Sequence, residues 1–414
     1  MNRIILIGNG FDLAHGLETS YSHFIDDFWK NKINEIRQNI SQNHYEDNFI
    51  VLDKIRHAIS YEVTTFKQLR QYESDLSLKI KFNNFFLESI SDKSYEKWVD
   101  IESEYFSALL KIITDGYNIE NRIKKLNEDF ESIKLAFENY LKNILQKKDQ
   151  KLGLNQKIHS IIYSEVKLND FSKKGVDCLY SEELSKINSE FENINKNIPN
   201  KYNYTYVLAY AKKQNDDGSV SLNEKNFIDL FNSKNSEIHL NLGINNMLLL
   251  NFNYTPLEKM YLKSTPECRY QVYVDSNHIH GEIDNEVNKI IFGYGDEISP
   301  NYKKIEDLDS NIALENVKSI KYLDTDNYKK LLEFLDTDKY QIFILGHSCG
   351  ISDRTLLSTL FENDNCVSIK FFYHKVSEDK DNYRNIIQNI SRNFNDKKMM
   401  REKVVNKTYC DSIN

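Results

Sequence analysis

The chain has few of the residues that punctuate or cross-link a fold. Only 4 prolines occur in 414 residues, so long uninterrupted helices are allowed. Cysteine is scarce and odd in number: Cys178, Cys268, Cys349, Cys366 and Cys410 are widely scattered, with no C-x-x-C pair. This argues against a disulfide framework or a zinc site, and it fits a reducing cytosol. No metal and a cytoplasmic location are therefore expected. There is no run of about 20 apolar residues, so no membrane-spanning helix is expected. The chain opens directly on an apolar strand, so no signal peptide is expected. Positive charge is in deficit, with a net charge of -8. An acidic chain of this kind is not a general nucleic-acid binder.

What is present is enough for a substantial core, since 40% of residues are hydrophobic. The length allows two domains, or one domain carrying a large insertion. Arg3 to Ile7 (RIILI) is a short β-branched run, and Gly8-Asn9-Gly10 follows at once, then Phe11, Asp12 and Gly16. A buried strand that stops at a glycine turn and enters a helix brings backbone N–H groups together, as the phosphates of a nucleotide require. The turn is not the dinucleotide fingerprint, because Leu13 stands where a third glycine should be. A plain β-to-α connection needing glycine explains the turn as well as ligand binding does.

Tyr21, Phe24, Ile25 and Phe28 make an apolar helical stripe. Residues 31–200 read as almost wholly helical. Within them Leu126, Phe130, Ile133, Phe137, Leu141 and Ile144 recur at spacings of three and four. So long a region exceeds an ordinary βα connection and is expected to be a helical insertion forming its own lobe. Tyr202, Tyr204 and Tyr206 alternate before Asp217-Gly218, which suggests a small hairpin and connector over 201–239. From Met247 an α/β rhythm returns. Strands are expected at Met247–Phe252, Tyr270–Val274, Lys289–Phe292, Gln341–Leu345 and Val367–Tyr373. Helices are expected at Tyr328–Leu335, Asp353–Phe361 and Asn382–Phe394. Residues 1–30 and 240–395 should thus form one α/β domain on a Rossmann-like parallel sheet, leaving 396–414 as a C-terminal tail.

Polar clusters follow four strand ends: Gly8–Asp12, Asn253–Thr255, His280–Gly281 and Gly346–Asp353. In an open parallel sheet ligands bind outside the carboxyl ends of the strands. Each cluster alone has a bland explanation: a turn asparagine, a core histidine, or helix-entry glycines. Four aimed at one edge favour a site. Cleaving a nucleotide's N-glycosidic bond builds an oxocarbenium-like ribose. Asn253 can hold a ribose hydroxyl or water, His280 can take a proton, and Asp12 can stabilise the cation or orient water. The Gly8–Gly10 amides would hold a diphosphate, and Ser348 and Asp353 follow the last of these strand ends. Glu102 is an additional candidate, since it lies beside the apolar face of Trp98, Ile101 and Tyr105, although a solvated helix glutamate explains it too.

The segment IILIGNGFDLAHGLETSYSHFI resembles the opening motif of the AbiH family of bacterial abortive-infection proteins. WVDIESEY (Trp98 to Tyr105), NFNYTPLE (Asn251 to Glu258), HIHGE (His278 to Glu282), IIFGYGDE (Ile290 to Glu297) and GHSCGISDRTLL (Gly346 to Leu357) resemble further blocks of that family, in its order. The order glycine turn, N-Y, H-G and G-H-S is also similar to sirtuin-like NAD-consuming proteins. That likeness implies a sirtuin-like nucleotide-binding core, with Asn253 and His280 facing the nicotinamide ribose. Asn9, Phe11, Gly16, Gly346, His347 and Ser348 would be binding residues around it, with Ser348 and Asp353 at the adenosine ribose. Asp12 stands where those proteins usually have serine, and Thr255 where they usually have aspartate. Without paired cysteines a peptide-deacetylating architecture is not implied. The expected function is anti-phage abortive infection by an NAD glycohydrolase-like enzyme. NAD or a related nucleotide would be its substrate, and a phage-derived trigger and a homo-oligomer are compatible partners. The alternatives are a toxin-like RNase using Glu102, Asp12, His280 and Asp353, or a non-catalytic nucleotide sensor acting through a partner.

Overall fold

The computed structural model describes residues 1–39, 44–53, 59, 62–76, 79–93, 100–148, 152–195, 243–262 and 272–414. The first strand, β1 (Asn2–Ile7), is buried along its whole length. A six-residue helix, α1 (Asn9–Ala14), follows at once, then α2 (Tyr21–Gln38), capped by the Ser20 side chain. The strands β2 (His44–Glu46), β3 (Ile50–Asp53) and β4 (Lys79–Phe82) form a three-stranded antiparallel sheet. Between and after them lie α3 (Phe66–Leu76), α4 (Phe85–Lys93), α5 (Ile101–Asp115), α6 (Ile119–Lys148), α7 (Gln156–Ile162) and α8 (Lys173–Asn195). The chain then supplies β5 (Asn246–Asn251), α9 (Lys259–Leu262), β6 (Tyr273–His278) and the short helices α10 (Pro300–Glu306), α11 (Asn311–Leu314) and α12 (Lys318–Lys321). It ends with α13 (Asn327–Leu335), β7 (Tyr340–Leu345), α14 (Arg354–Glu362), β8 (Cys366–Phe372), α15 (Tyr383–Arg392) and α16 (Lys397–Lys403).

Five strands form one parallel sheet in the order β6-β5-β1-β7-β8. β1 is its centre, as an apolar strand without a polar face requires. Ile4 and Leu6 point into a core shared with Leu331, Leu357 and Ile390 of α13, α14 and α15. Ile5 and Ile7 point the other way, onto Ile158 and Ile162 of α7 and Tyr261 of α9. The strands run outward from β1 to β5 and β6 on one side and to β7 and β8 on the other. Strand order therefore reverses between β1 and β7, the place where an open α/β sheet leaves a crevice at its carboxyl edge.

Several expectations are corrected. Residues 31–200 are not wholly helical, because β2, β3 and β4 lie within them. Their alternation lasts only four residues in β3 and β4, too short to stand out among helical periods. Lys289–Phe292 is not a strand. Its Phe292 is instead packed on Phe130 and Phe137 of α6, and only Tyr294 makes an isolated bridge, to Val317. Nor are the helices a lobe with a separate core. Tyr254, Ile283, Phe292, Tyr294, Ile305 and Ala313 are buried in the same apolar cluster as α2, α5 and α6, and Phe106 stacks on Tyr294 at 3.7 Å. Residues 396–414 are not a loose tail. They form α16, bridge Val404 to Ile369 and Ser412 to Tyr373, and bury Ile413, covering the free edge of β8. The tyrosines expected in a hairpin over 201–239 lie outside the described residues, as does Trp98. Among the described residues, no helix is long and apolar enough to cross a membrane.

The turn after β1 and the turn after β7 touch backbone to backbone. Gly346 has φ +74°, and a Cβ there would lie 2.2 Å from the Phe11 nitrogen. Gly116, which ends α5, has φ +70° with nothing within 4 Å of such a Cβ. Both Gly→Ala variants carry the left-handed backbone penalty, about 1–2 kcal/mol. Gly346→Ala adds steric overlap of about 1–3 kcal/mol. Urea unfolding should rank Gly346→Ala clearly below Gly116→Ala, and equal losses would refute the contact between the two turns.

Candidate functional site at the strand ends

Two buried polar clusters sit at the carboxyl edge of the sheet. The first is built on Asp12, which α1 holds just beyond β1. Asn253 Nδ2 donates to Asp12 Oδ1 at 2.8 Å and to the Gly8 carbonyl at 3.0 Å. Thr255 Oγ1 donates to Asp12 Oδ2 at 2.8 Å. Burial pushes the Asp12 carboxyl up to about 7, against the hydrogen bonds from Thr255, Thr19 and Asn253, and the Glu258 charge adds to the rise. The segment after β5 folds onto itself to hold this arrangement. Asn251 accepts from the Asn253 amide at 2.9 Å and donates to Glu258 at 2.6 Å. Glu258 in turn meets His278 Nε2 at 2.7 Å.

Two amides of the glycine turn beside Asp12 are already bonded to the β7 side. Gly8 N–H donates to the Leu345 carbonyl at 3.1 Å, and Gly10 N–H to the Gly346 carbonyl at 2.9 Å. A Cβ on Gly8 would lie 2.4 Å from His347 Cα, and one on Gly10 2.7 Å from Gly346 Cα. These glycines let the β1 and β7 turns interlock, and the Gly8 and Gly10 amides are engaged in that contact. Phe11 is a core residue against His15 and Tyr261. Asn9 donates to Thr19 at 2.8 Å. Gly16 follows α1 with φ +75° and marks its end.

The second cluster is centred on Lys318, which is 1% exposed. Its ammonium donates to Glu102 Oε2 and to Asp353 Oδ1, each at 2.7 Å. His280 Nε2 lies 3.3 Å from Asp353 Oδ1 and 3.1 Å from the Tyr322 hydroxyl. His347 Nε2 lies 3.5 Å from Asp353 Oδ2. The Cys349 amide donates to His347 Nδ1, which leaves the neutral ring's proton on Nε2, facing the carboxylate. Asp100 caps α5 through the Ser103 amide and so sets Glu102 in the first turn. Glu102 Oε1 also accepts the Gly293 amide at 3.2 Å. Gly293 and Gly295 admit the neighbouring chain closely. A Cβ on Gly293 would lie 2.2 Å from the Asn316 carbonyl, and one on Gly295 3.0 Å from that of Ser352.

The charges of this cluster divide unequally. Burial raises the Glu102 carboxyl to about 8, with Lys318 opposing and the Asp353 charge assisting. Burial would also raise Asp353, but Lys318 outweighs it and holds Asp353 well below the usual carboxylate range. Burial would lower Lys318, yet Asp353 and Glu102 raise it. Burial and then the Lys318 charge lower His280 to about 3. These directions favour an ammonium, an ionised Asp353, a protonated Glu102 and a neutral His280. The proton affinities of the two carboxyl groups are thus driven in opposite directions by one ammonium.

Asp12 and Asn253 are thus in direct contact, and His280, His347, Asp353 and Glu102 share the second cluster. The Phe252 ring lies between the clusters' histidine side and β5, 5.0 Å from His280 and 4.2 Å from His347. Asp353 lies beside His280, because the turn at Ile351–Asp353 folds it back under Lys318. Ser348 is exposed, its carbonyl accepting from Asn389. Lys318, Tyr322, Glu258 and His278 were missed. His278 and Glu258 stand inside quoted motifs, whereas Lys318 lies in a stretch, ENVKSIKYL, with no distinguishing pattern. Among the described residues no group of three or more His, Cys, Asp or Glu is disposed to hold a metal ion.

A family model described as Bacteriophage abortive infection AbiH matches residues 4–375. It therefore spans both clusters and every strand of the parallel sheet. No curated protein and no solved structure matches the chain.

Asp12 gives a pH test. Its carboxyl binds a proton more tightly in the folded chain, at about 7, than at its ordinary value of 3.8. The folded state keeps the proton that the unfolded state has lost, so this group's contribution to stability falls as pH rises between those two values. Asp12→Asn keeps an acceptor for Asn253 and a donor for Thr255 without the charge. Its melting temperature should fall less than the native chain's between about pH 4 and 7. Parallel melting curves for the two chains over that range would contradict the assignment.

Proposed function

The chain belongs to the AbiH family of bacteriophage abortive-infection proteins, and on that footing we propose that it acts against phage by hydrolysing the N-glycosidic bond of NAD or a related nucleotide. The supporting observation is the pair Glu102 and Asp353, held on one ammonium with opposite protonation. The pair stands at the carboxyl edge of the sheet, beside the reversal of strand order between β1 and β7.

In this reaction the bond from ribose C1′ to the ring nitrogen breaks and its electrons stay with the departing base. Positive charge develops on the ribose, which the ionised Asp353 stabilises. Water adds to C1′ and passes its proton to the ionised fraction of Glu102, while nicotinamide leaves as a neutral base that needs no proton. Glu102, poised at about 8, is near the working pH at which a carboxyl group both takes and gives protons effectively. Neutral His280 orients the water or a ribose hydroxyl. Asn253 and Asp12 hold the ribose side. Asp353, Glu102, Lys318, His280 and His347 are all buried. Substrate therefore enters only when the surrounding loops part, and the resting chain is expected to be slow until a phage-derived trigger acts. The same burial favours a second reading, a non-catalytic nucleotide sensor that transmits through a partner.

Purified protein should release nicotinamide from NAD, and release should rise with phage lysate. Glu102→Gln and His280→Ala should each lower it by about 10²–10⁴-fold, with melting temperature as the control for folding. Glu102→Gln keeps the size and hydrogen-bonding reach of the side chain and removes only its proton exchange. Full activity in folded Glu102→Gln would remove the acid–base assignment. Saturable NAD binding with no nicotinamide released in either condition would favour the sensor.

A further inference from the structure

A cavity of about 470 Å³ lies away from both clusters, between α7, β8 and the segment around Cys410–Ser412. Its charged lining is Lys157, Lys167, Lys370 and Lys375 against Asp170 and Asp411. Four cations face two carboxylates, in a chain whose net charge is -8. The excess is not only at the rim. Lys370 is 2% exposed and donates to the equally buried Asp170 at 2.9 Å. Beneath the cavity wall, fully buried Arg3 donates to the carbonyl of Ser164, a lining residue, and to Ile162. Arg3 also donates to Gln341 at 3.2 Å, stands over the Phe343 ring, and leaves its Nε without a hydrogen-bond partner among the described residues. Asp170 is bonded to Lys370, and its charge also acts on Arg3 without an ion pair between them. Asp411 is 4.0 Å from Lys370 but 64% exposed, so water screens its help. Buried charge without a full counter-charge is unfavourable, and an anion entering the cavity would supply the missing one.

The remaining walls say what the anion carries. Ile161, Phe372 and Tyr373 line the same cavity, giving it an apolar side on which a ring can lie. At this size a cavity takes a ligand of mononucleotide dimensions. Lys167 and Lys375 are exposed at the rim, and Lys157 donates to the Asn414 carbonyl at 2.8 Å and to Ser412 Oγ at 3.5 Å. We propose that this cavity is a second binding site, for a small organic phosphate such as a mononucleotide, with the phosphate at the lysines and the ring on Phe372 and Tyr373. It is separate from the strand-end site, and none of Asp12, Glu102, Lys318, His280 or Asp353 lines it.

Calorimetric titration of the full chain with AMP, inorganic phosphate and adenosine tests the assignment. AMP should bind saturably and raise the melting temperature, phosphate should bind more weakly, and adenosine should not bind. A Lys167→Ala/Lys375→Ala double variant should weaken AMP by at least about tenfold, with the ligand-free melting temperature unchanged because both side chains are exposed. Asn253→Ala, which removes a side chain proposed to hold the ribose at the strand-end site, should bind AMP like the native chain. Absence of saturable AMP binding at millimolar concentration, adenosine binding as well as AMP, or an undiminished affinity in the double lysine variant would each overturn the proposal. Loss of AMP binding in folded Asn253→Ala instead would assign the nucleotide to the strand-end site and likewise overturn it.

Discussion

One ammonium group ties the halves of this molecule together. Lys318 is pinned from the backbone side, its amide donating to the Tyr294 carbonyl and the Tyr294 amide to that of Asn316. Its side chain then reaches Glu102 of α5 and Asp353 beside the end of β7. Three stretches distant in sequence meet at that nitrogen. Burying three ionisable groups together is expensive, and it is tolerable only if attraction and hydrogen bonds offset the loss of water. One ammonium cannot neutralise two carboxylates. The excess negative charge is removed by protonating the weaker partner, and the geometry makes Glu102 that partner. Asp353 has Lys318 with two histidines around it, whereas Glu102 has Lys318, one backbone amide and the repulsion of neighbouring acids. The acid–base asymmetry thus follows from the number of carboxyl groups facing a single cation.

The glycines make a second constraint, of shape rather than charge. Gly8, Gly10 and Gly346 remove side chains where two turns cross, and Gly293 and Gly295 do so where the 290s cross the segment holding Lys318. In sequence, G-N-G after a strand has two meanings: a surface for phosphate, or a surface for another backbone. Both need a missing Cβ, so composition alone does not separate them. The amides separate them, because here they point at the Leu345 and Gly346 carbonyls. The same contact brings His347 over the β1 turn, and with it Asp353 toward the centre of the sheet edge.

Legibility followed the range of the interactions. β1, β5 and β7 were readable from the apolar runs Ile4–Ile7, Met247–Leu250 and Ile342–Leu345, as strands buried on both faces require, and β8 from its apolar residues on either side of Ser368 and Lys370. The pairing of Asp12 with Asn253 across 241 positions was reachable because both follow such strands and strand ends converge. Lys318 was not readable. A lysine in ENVKSIKYL carries no local sign of burial, and only the tertiary fold places it between two carboxyl groups. The antiparallel strands β2–β4 were hidden for a different reason: four-residue alternations are weak beside the long helical period of α6. Phe292 misled because an apolar run is the same whether it pairs in a sheet or packs on a helix.

The position of Glu102 decides how the helical part and the sheet relate. If the helices only covered the sheet, apolar contact such as Phe106 on Tyr294 would suffice. Instead α5 delivers a carboxyl group into a cluster whose other members, Asp353, His280 and His347, stand at the sheet edge and whose cation comes from α12. Drawing α5 away would strip Lys318 of one partner and leave Asp353 as its only carboxylate. Glu102, returned to water, would lose its proton as burial is relieved. Movement of α5 is therefore coupled to the protonation of the group proposed as acid and base. A helix that reports an outside event by shifting would change the chemistry at the sheet edge directly, with no intermediary beyond the bond from Glu102 to Lys318.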